Sequence, residues 1–306
     1  MGQQANPGRN RLNGAFCPIS FMGETGGGAG IGEANLRLHD MSVRVYTGPH
    51  SERGRPQSAW LVYVPWVLAA LTILGQIAWI LVTGDTRAVL TCITVAAFFL
   101  TSTTHAFVTR GVAWTSGFLA ISLALGWGIE ALGVATQFPF GDYSYSNALG
   151  PALLGVPIVI PMAWSMMAYP CLLAAQRLVG QGLATAITGG VLFASWDLFL
   201  DPQMVGEGYW TWNAVNWTLP GIDGIPLQNF LGWLLTACVL MYLLDRLPRK
   251  AAKDGVPTLM LSWVYASNVL AALVFFGEPA VALWGGLCMG AVVIPWWWRA
   301  WSQPRW

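Results

Sequence analysis

The chain has 306 residues, of which 55% are hydrophobic and only 9% are charged, and its net charge is +1. A soluble globular domain is about one quarter charged, so this chain has too few charges to cover a water-exposed surface, and its balanced charge gives no sign of a nucleic-acid partner. The 18 tryptophans favour a membrane protein, because tryptophan concentrates where lipid meets water.

Residues 1–58 form a polar, glycine-rich segment without an apolar run long enough for a signal peptide. We predict that they are a disordered cytoplasmic tail, because such a composition buries too little apolar surface to fold. The run 28–32 loosely resembles a dinucleotide-binding loop, but no strand pattern precedes it and no helix pattern follows it. Met41, which precedes a basic stretch and the first span, is an alternative start of the chain.

Apolar runs follow residue 59 at nearly regular intervals. A helix that crosses a bilayer needs about 20 mostly apolar residues. The sequence therefore predicts an all-α, polytopic membrane helical bundle over residues 59–306. Its eight predicted transmembrane helices are 60–83, 88–108, 112–134, 153–176, 182–203, 229–246, 258–276 and 280–298.

The basic residues predict the orientation of these helices. Cytoplasmic loops of membrane proteins carry an excess of Lys and Arg. If the N-terminus is cytoplasmic, Arg87 alone falls outside, and both termini lie in the cytoplasm. The loops 135–152 and 204–228 then lie on the outer side. The basic residues placed inside are Arg44, Arg53, Arg55, Arg110, Arg177, Arg246, Arg249, Lys250, Lys253, Arg299 and Arg305.

Three acidic residues lie within predicted spans, where ionisable groups are costly and usually functional. Glu130 is late in the third span, and Asp197 and Asp201 are four residues apart in the fifth. That spacing puts the two aspartates on one helix face. Two carboxylates so close in low dielectric cannot both ionise cheaply, so we expect a protonated acid beside an ionised one. The alternative is a polar helix end near the interface, with Pro202 ending the helix.

The two long outer loops are rich in aromatic residues. Each ends in a Gly-x-Pro sequence, and in each a tryptophan, Trp164 or Trp233, follows that proline by seven residues. This pattern is either a weak internal repeat of a helix–loop–helix unit or a chance similarity. The aromatic residues are typical of an interfacial belt, and they would equally suit the lining of a long, flat, apolar ligand.

Other reactive residues form no recognisable site. The five cysteines are scattered, which is typical of small core residues. His105 is embedded without a set of metal ligands near it in sequence, so we interpret it as a packed or hydrogen-bonding residue and predict no metal site. A single Asp-x3-Asp is too little for the aspartate-rich pattern that holds magnesium diphosphate in membrane prenyltransferases.

Five runs, at 140–145, 155–164, 196–204, 208–212 and 224–233, together make the chain resemble the membrane carotenoid biosynthesis protein family, over roughly residues 60–300. The best-described members are carotenoid hydratases, including those of the bisanhydrobacterioruberin type. They add water to the terminal double bond of an acyclic carotenoid and give a tertiary alcohol. The tail before residue 59 departs from the family.

The resemblance implies an isoprenoid lyase that works by acid–base catalysis. A strong acid must protonate the alkene, and a base must take a proton from the attacking water. We assign Asp197 as the general acid and Asp201 as the base or water-positioning partner, and we expect Glu130 to line the same cavity. The reaction requires neither a metal nor a redox cofactor. The implied substrate is a membrane-soluble, lycopene-type acyclic carotenoid, met in the lipid bilayer of the cell membrane.

Aromatic faces can stabilise the carbocation that protonation would create. Candidate substrate-binding residues are Tyr143, Tyr145, Trp164, Trp196, Tyr209, Trp210, Trp212, Asn229 and Trp233. Two alternatives stay open. A carotenoid end-group cyclase or isomerase would share the proton donor but exclude water. A non-enzymatic lipid-binding or transport protein would use the acids only for structure.

Overall fold

A computed structural model describes residues 59–302, so the predicted N-terminal tail lies outside the described residues. Within 59–302, eight helices are long and apolar enough to cross a membrane, which confirms the predicted all-α membrane bundle. The helices are α1 (Val64–Trp79), α2 (Gly84–Arg110), α3 (Val112–Thr136), α4 (Val159–Val179), α5 (Leu183–Gly206), α6 (Leu227–Leu244), α7 (Gly255–Val274) and α8 (Pro279–Ser302).

Four short strands lie in two connections, three of them between α3 and α4 and one between α5 and α6. They are β1 (Tyr143–Tyr145), β2 (Ala152–Leu153), β3 (Val156–Pro157) and β4 (Trp210–Trp212). The prediction that the fourth span begins at 153 is wrong, because β2 and β3 pair as a tight antiparallel hairpin there. Its turn uses Leu154 and Gly155, both at positive φ, so the chain cannot be helical before α4.

The centre of the bundle is formed by α4 and α5. Their most apolar segments are 72% and 67% buried, against 17% for the first span. Small residues allow the close packing: a Cβ atom on Gly190 of α5 would lie 2.9 Å from the backbone nitrogen of Cys238 on α6. Close approach at small residues is the usual way that membrane helices associate, since lipid gives them no hydrophobic drive to do so.

Ion pairs near the helix ends lie on two opposite faces of the bundle. On one face Arg110, at the end of α2, forms an ion pair with Asp254 before α7, and Lys250 donates to the carbonyl of Arg110. On the opposite face Arg87, at the start of α2, forms an ion pair with Glu207 after α5. Arg110 and Lys250 thus lie on one face and Arg87 on the other, as the sequence predicts, while the assignment of one face to the cytoplasm stays a prediction.

The two long loops join on the face of Arg87. β1 pairs with β4 in antiparallel register, so Tyr143 lies opposite Trp212 and Tyr145 lies opposite Trp210. Beneath them the tryptophans that follow the two Gly-x-Pro sequences, Trp164 and Trp233, stack with their ring centroids 4.4 Å apart. The two segments with the repeated pattern are therefore neighbours in space.

Candidate functional site

The three acidic residues of the spans line one small cavity beneath the β1–β4 pair. Glu130 on α3 and Asp197 and Asp201 on α5 are each 3% exposed or less. Among the described residues, no Lys or Arg lines this cavity, which we call the acid pocket. Its other lining residues are Phe140, Tyr143, Tyr145, Ile160, Ala163, Trp164, Leu200, Trp210, Trp212, Asn229 and Trp233.

Asp197 and Asp201 lie one turn apart on the same face of α5, as the spacing predicts. Asn229, in the first turn of α6, bridges them: its Nδ2 donates to Asp197 Oδ2 and to Asp201 Oδ2, at 2.8 Å each. An amide group supplies two N–H donors, so one side chain can satisfy both carboxylates. The bridge fixes the distance between the two acids and ties α5 to α6.

The second long loop supplies two more donors to Asp201. Trp210 Nε1 lies 2.6 Å from Asp201 Oδ1, and Trp212 Nε1 lies 3.2 Å from the same oxygen. Residues two apart on a strand share one face, so β4 can aim both indoles at one carboxylate. With Asn229, Asp201 accepts three hydrogen bonds, an arrangement that favours its ionised form.

The first long loop supplies hydrogen-bond donors to Glu130 in the same way. The hydroxyls of Tyr143 and Tyr145 donate to Oε2 at 2.6 and 2.9 Å, and Trp164 Nε1 donates to Oε1 at 3.0 Å. Burial, and then the negative charge of Glu130, raises the pKa of Tyr143 and of Tyr145 well above the usual value for tyrosine. Both phenols therefore keep their protons and remain donors.

Glycines in the surrounding helices let the first loop enter the bundle. A Cβ atom on Gly133 of α3 would lie 2.8 Å from the hydroxyl oxygen of Tyr143, and one on Gly232 of α6 would lie 2.9 Å from the carbonyl oxygen of Pro139. Phe140, between these contacts, is 1% exposed. The small helix residues thus position β1 over Glu130.

Asp197 differs from the other two acids in its hydrogen bonding. Within residues 59–302, its only side-chain hydrogen bond is the one from Asn229 to Oδ2. Glu130 and Asp201 each accept three. Because hydrogen-bond donors stabilise a buried carboxylate, the negative charge is supported least well at Asp197.

Two predicted substrate-binding residues lie outside the acid pocket. Trp196 contacts Trp233 edge-on but lines the larger cavity described below. Tyr209, which is 2% exposed, points elsewhere, with its hydroxyl 3.2 Å from Thr91 Oγ1. The other predicted residues, Tyr143, Tyr145, Trp164, Trp210, Trp212, Asn229 and Trp233, all line the acid pocket.

A larger cavity of about 350 Å³, here called the apolar cavity, adjoins the acid pocket between α1, α2, α4, α5 and α7. Most of its lining is aliphatic or aromatic. The two cavities share Ile160, Ala163, Leu200 and Trp210. The three aliphatic members of this boundary were not identified from the sequence, because apolar residues that line a cavity and those packed in a core follow the same pattern.

His105 belongs to a separate network on the opposite face. Its Nδ1 lies 2.8 Å from the hydroxyl of Tyr169, and its Nε2 lies 3.1 Å from the carbonyl oxygen of Lys253. Arg110 donates to the same tyrosine hydroxyl. The interpretation of His105 as a hydrogen-bonding residue is confirmed.

Comparisons with known proteins identify relatives of this chain. A family model described as "Carotenoid biosynthesis protein" matches residues 84–296, well over half of the chain. Bisanhydrobacterioruberin hydratase from Haloarcula japonica is 33% identical over 138 residues, which are 42% of this chain and 45% of that protein. The match thus spans less than half of the relative's own length. No solved structure matches the chain.

Proposed function

The chain belongs to the carotenoid biosynthesis protein family, and on that premise we propose that it is a carotenoid hydratase of the cell membrane. It adds water to the terminal double bond of an acyclic, lycopene-type carotenoid and produces a tertiary alcohol. The observation that carries this proposal is the convergence of Glu130, Asp197 and Asp201 on one cavity without a basic residue in its described lining. The name of the Haloarcula relative supports the choice of hydration.

The apolar cavity supports a long apolar substrate. Its volume of about 350 Å³ is within the range of ligand pockets, and its lining suits a polyene chain. A chain held there would present its end group to the acid pocket at the shared boundary of Ile160, Ala163 and Leu200. The lipid-soluble substrate would reach this site from the bilayer.

Protonation of the alkene is the difficult step, and Asp197 is the proposed acid. With one hydrogen-bond donor, its carboxylate is the least stabilised of the three, so a proton is retained most cheaply there. Transfer of that proton to the less substituted carbon breaks the O–H bond, forms a C–H bond and leaves a tertiary carbocation. Asp197 becomes a carboxylate and balances the new positive charge.

The pocket can stabilise the carbocation and complete the addition. Stacked Trp164 and Trp233 present aromatic rings to the pocket, and Glu130, whose carboxylate accepts three hydrogen bonds, would contribute a negative charge. Water attacks the cation through its oxygen, and ionised Asp201 takes the excess proton. Alkene and water give an alcohol without a change of electron count, so the proposal includes neither a metal nor a redox cofactor.

The test is expression in a host that makes lycopene, with chromatography and mass analysis of the pigments. We expect products that are heavier by one water for each reacted end group and that behave as alcohols. An isobaric cyclic product would instead identify a cyclase, and an isobaric acyclic product an isomerase. Unchanged pigments, with the protein present in the membrane, would favour a lipid-binding or transport protein.

A further inference from the structure

A second small cavity lies against the same carboxylates, on the side of the loop between α5 and α6. Asp197, Asp201 and Asn229 line both this cavity and the acid pocket, so the two cavities meet at these three side chains. The rest of its lining shares nothing with the acid pocket. Those residues are Leu198, Pro202, Leu219, Ile222, Ile225, Pro226, Leu227 and Phe230.

The size and polarity of this loop-side cavity fit one water molecule. Its volume is about 20 Å³, and a water site needs about 10–15 Å³ and two to four polar partners. Asp197, Asp201 and Asn229 provide those partners, while all other lining side chains are apolar. A water held there would therefore contact the carboxylates.

The turn Leu219–Ile222 supplies two lining residues of the loop-side cavity. Ile222, which is 6% exposed, lines the cavity and donates its backbone N–H to the carbonyl oxygen of Leu219 at 2.9 Å. Its neighbours Gly221 and Asp223 are exposed. Exposed residues thus lie directly beside the lining of the cavity, on the face of the protein that carries the long loops.

The other approach to the acids, from the apolar cavity, is unfavourable for water. The boundary between the apolar cavity and the acid pocket consists of Ile160, Ala163, Leu200 and Trp210. The indole N–H of Trp210 already donates to Asp201. A water that crossed this boundary would lose hydrogen bonds without replacement, which is costly in an apolar environment.

We propose that the two reactants arrive from opposite sides: the carotenoid end group through the apolar cavity, and water through the loop-side cavity past Ile222. This inference rests on the proposed hydratase function. The water would form its C–O bond to the cation while losing a proton to Asp201. A following water in the loop-side cavity, which both aspartates line, would carry that proton from Asp201 back to Asp197. The net change is the addition of one water to the alkene.

A nucleophile-competition experiment tests the separate water route. Membranes that contain the protein are given substrate in buffer with methanol, a nucleophile too large for a cavity of this size. We expect wild type to give the alcohol, and Ile222→Ala to give in addition a methyl ether, one CH2 heavier, formed by C–O bonding to methanol with its proton passing to Asp201. Ile160→Ala, which enlarges the other approach, should give no ether.

Filling the cavity provides the complementary measurement. Ile222→Phe should lower the yield of alcohol about tenfold or more at equal protein level, because one reactant is blocked. Ile225 lines the same cavity. Ile225→Ala therefore serves as the second enlarging variant if the Ile222→Ala protein does not accumulate. Ether from Ile160→Ala, equal ether from wild type, or an undiminished alcohol yield from Ile222→Phe would overturn the inference. A wild type that makes no alcohol at all would instead refute the proposed function.

Discussion

At the scale of single residues, the three buried acids are distinguished by their hydrogen bonds. Asp201 and Glu130 each accept three from neutral donors, whereas Asp197 accepts one from Asn229. Neutral donors support a negative charge without pairing it with a cation. This asymmetry gives each acid a different proposed task in the same pocket.

Asp197→Asn should abolish hydration. The substitution keeps the size of the side chain and can still bond to Asn229, but it cannot deliver a proton. Pigment analysis in a lycopene-producing host should show no alcohol, while immunoblots show normal protein in the membrane. Asp201→Asn should impair the reaction severely, and Glu130→Gln measurably. A near-normal yield from Asp197→Asn would place the acid elsewhere, with Glu130 as the next candidate.

Asn229→Leu should lower activity by disturbing the two aspartates that Asn229 bridges. It removes the donor shared by Asp197 and Asp201 and leaves both oxygens buried without that bond, at a cost of about 1–3 kcal/mol each. We expect a lower melting temperature in detergent and a strong loss of alcohol. Asn216→Leu, at an exposed asparagine in the connection between α5 and α6, is the matched control and should change neither measurement. Equal behaviour of the two variants would refute a role for the bridge.

The sequence predicts the acids better than it predicts their partners. The spacing of Asp197 and Asp201 follows from the helix period alone. The bridge by Asn229 depends on how α5 crosses α6, which no local pattern specifies. Tyr209 and Trp210 are adjacent in sequence, but strand alternation sends Trp210 to Asp201 and Tyr209 to Thr91.

At the scale of elements, the β1–β4 pair is the smallest unit that organises the pocket. Each strand carries two aromatic donors on one face and aims them at one acid. The sequence suggested aromatic loops on the outer side, yet not their pairing, because β1 and β4 are separated by α4 and α5. Hydropathy likewise extended the fourth span over β2 and β3, since an apolar hairpin and an apolar helix have the same mean hydropathy.

Thr211→Pro should break this strand pair. Backbone bonds from Ser146 to Tyr209 and from Asn213 to Asp142 flank the pair, and their alternation places the N–H of Thr211 in a hydrogen bond between the strands. Proline lacks that N–H. We expect a loss of alcohol of about 100-fold, because misplacing groups by about 1 Å can cost that much. Thr211→Val keeps the backbone bond and should remain active; similar losses for both would refute the role of the strand pair.

At the scale of the whole molecule, hydropathy and burial run in opposite directions. The first span has the highest mean hydropathy of the eight described spans, 1.9, and is the least buried, whereas α4 has the lowest, 1.2, and is the most buried. Lipid is itself an apolar solvent, so the outermost helices can be the most hydrophobic. The sequence thus predicts the number of spans well, and its least apolar span, α4, is the most buried one.

Topology can be measured with reporter fusions. A fusion after Arg249 should report cytoplasm, because that loop carries the basic cluster, and a fusion near Asp223 should report the outer side. A third fusion at Gln181, in the connection between α4 and α5, should agree with the first. The opposite pattern would reverse the orientation, and with it the side from which water is proposed to enter.

The stacked pair of Trp164 and Trp233 has an optical consequence. Two indoles with centroids 4.4 Å apart and planes inclined by 20° are close enough for their electronic transitions to couple. Such coupling gives circular dichroism in the ultraviolet that neither chromophore has alone. Replacing either ring with phenylalanine should remove the same component of the spectrum. A ligand that separates or tilts the rings would alter that component too, so circular dichroism can report ligand binding at this site.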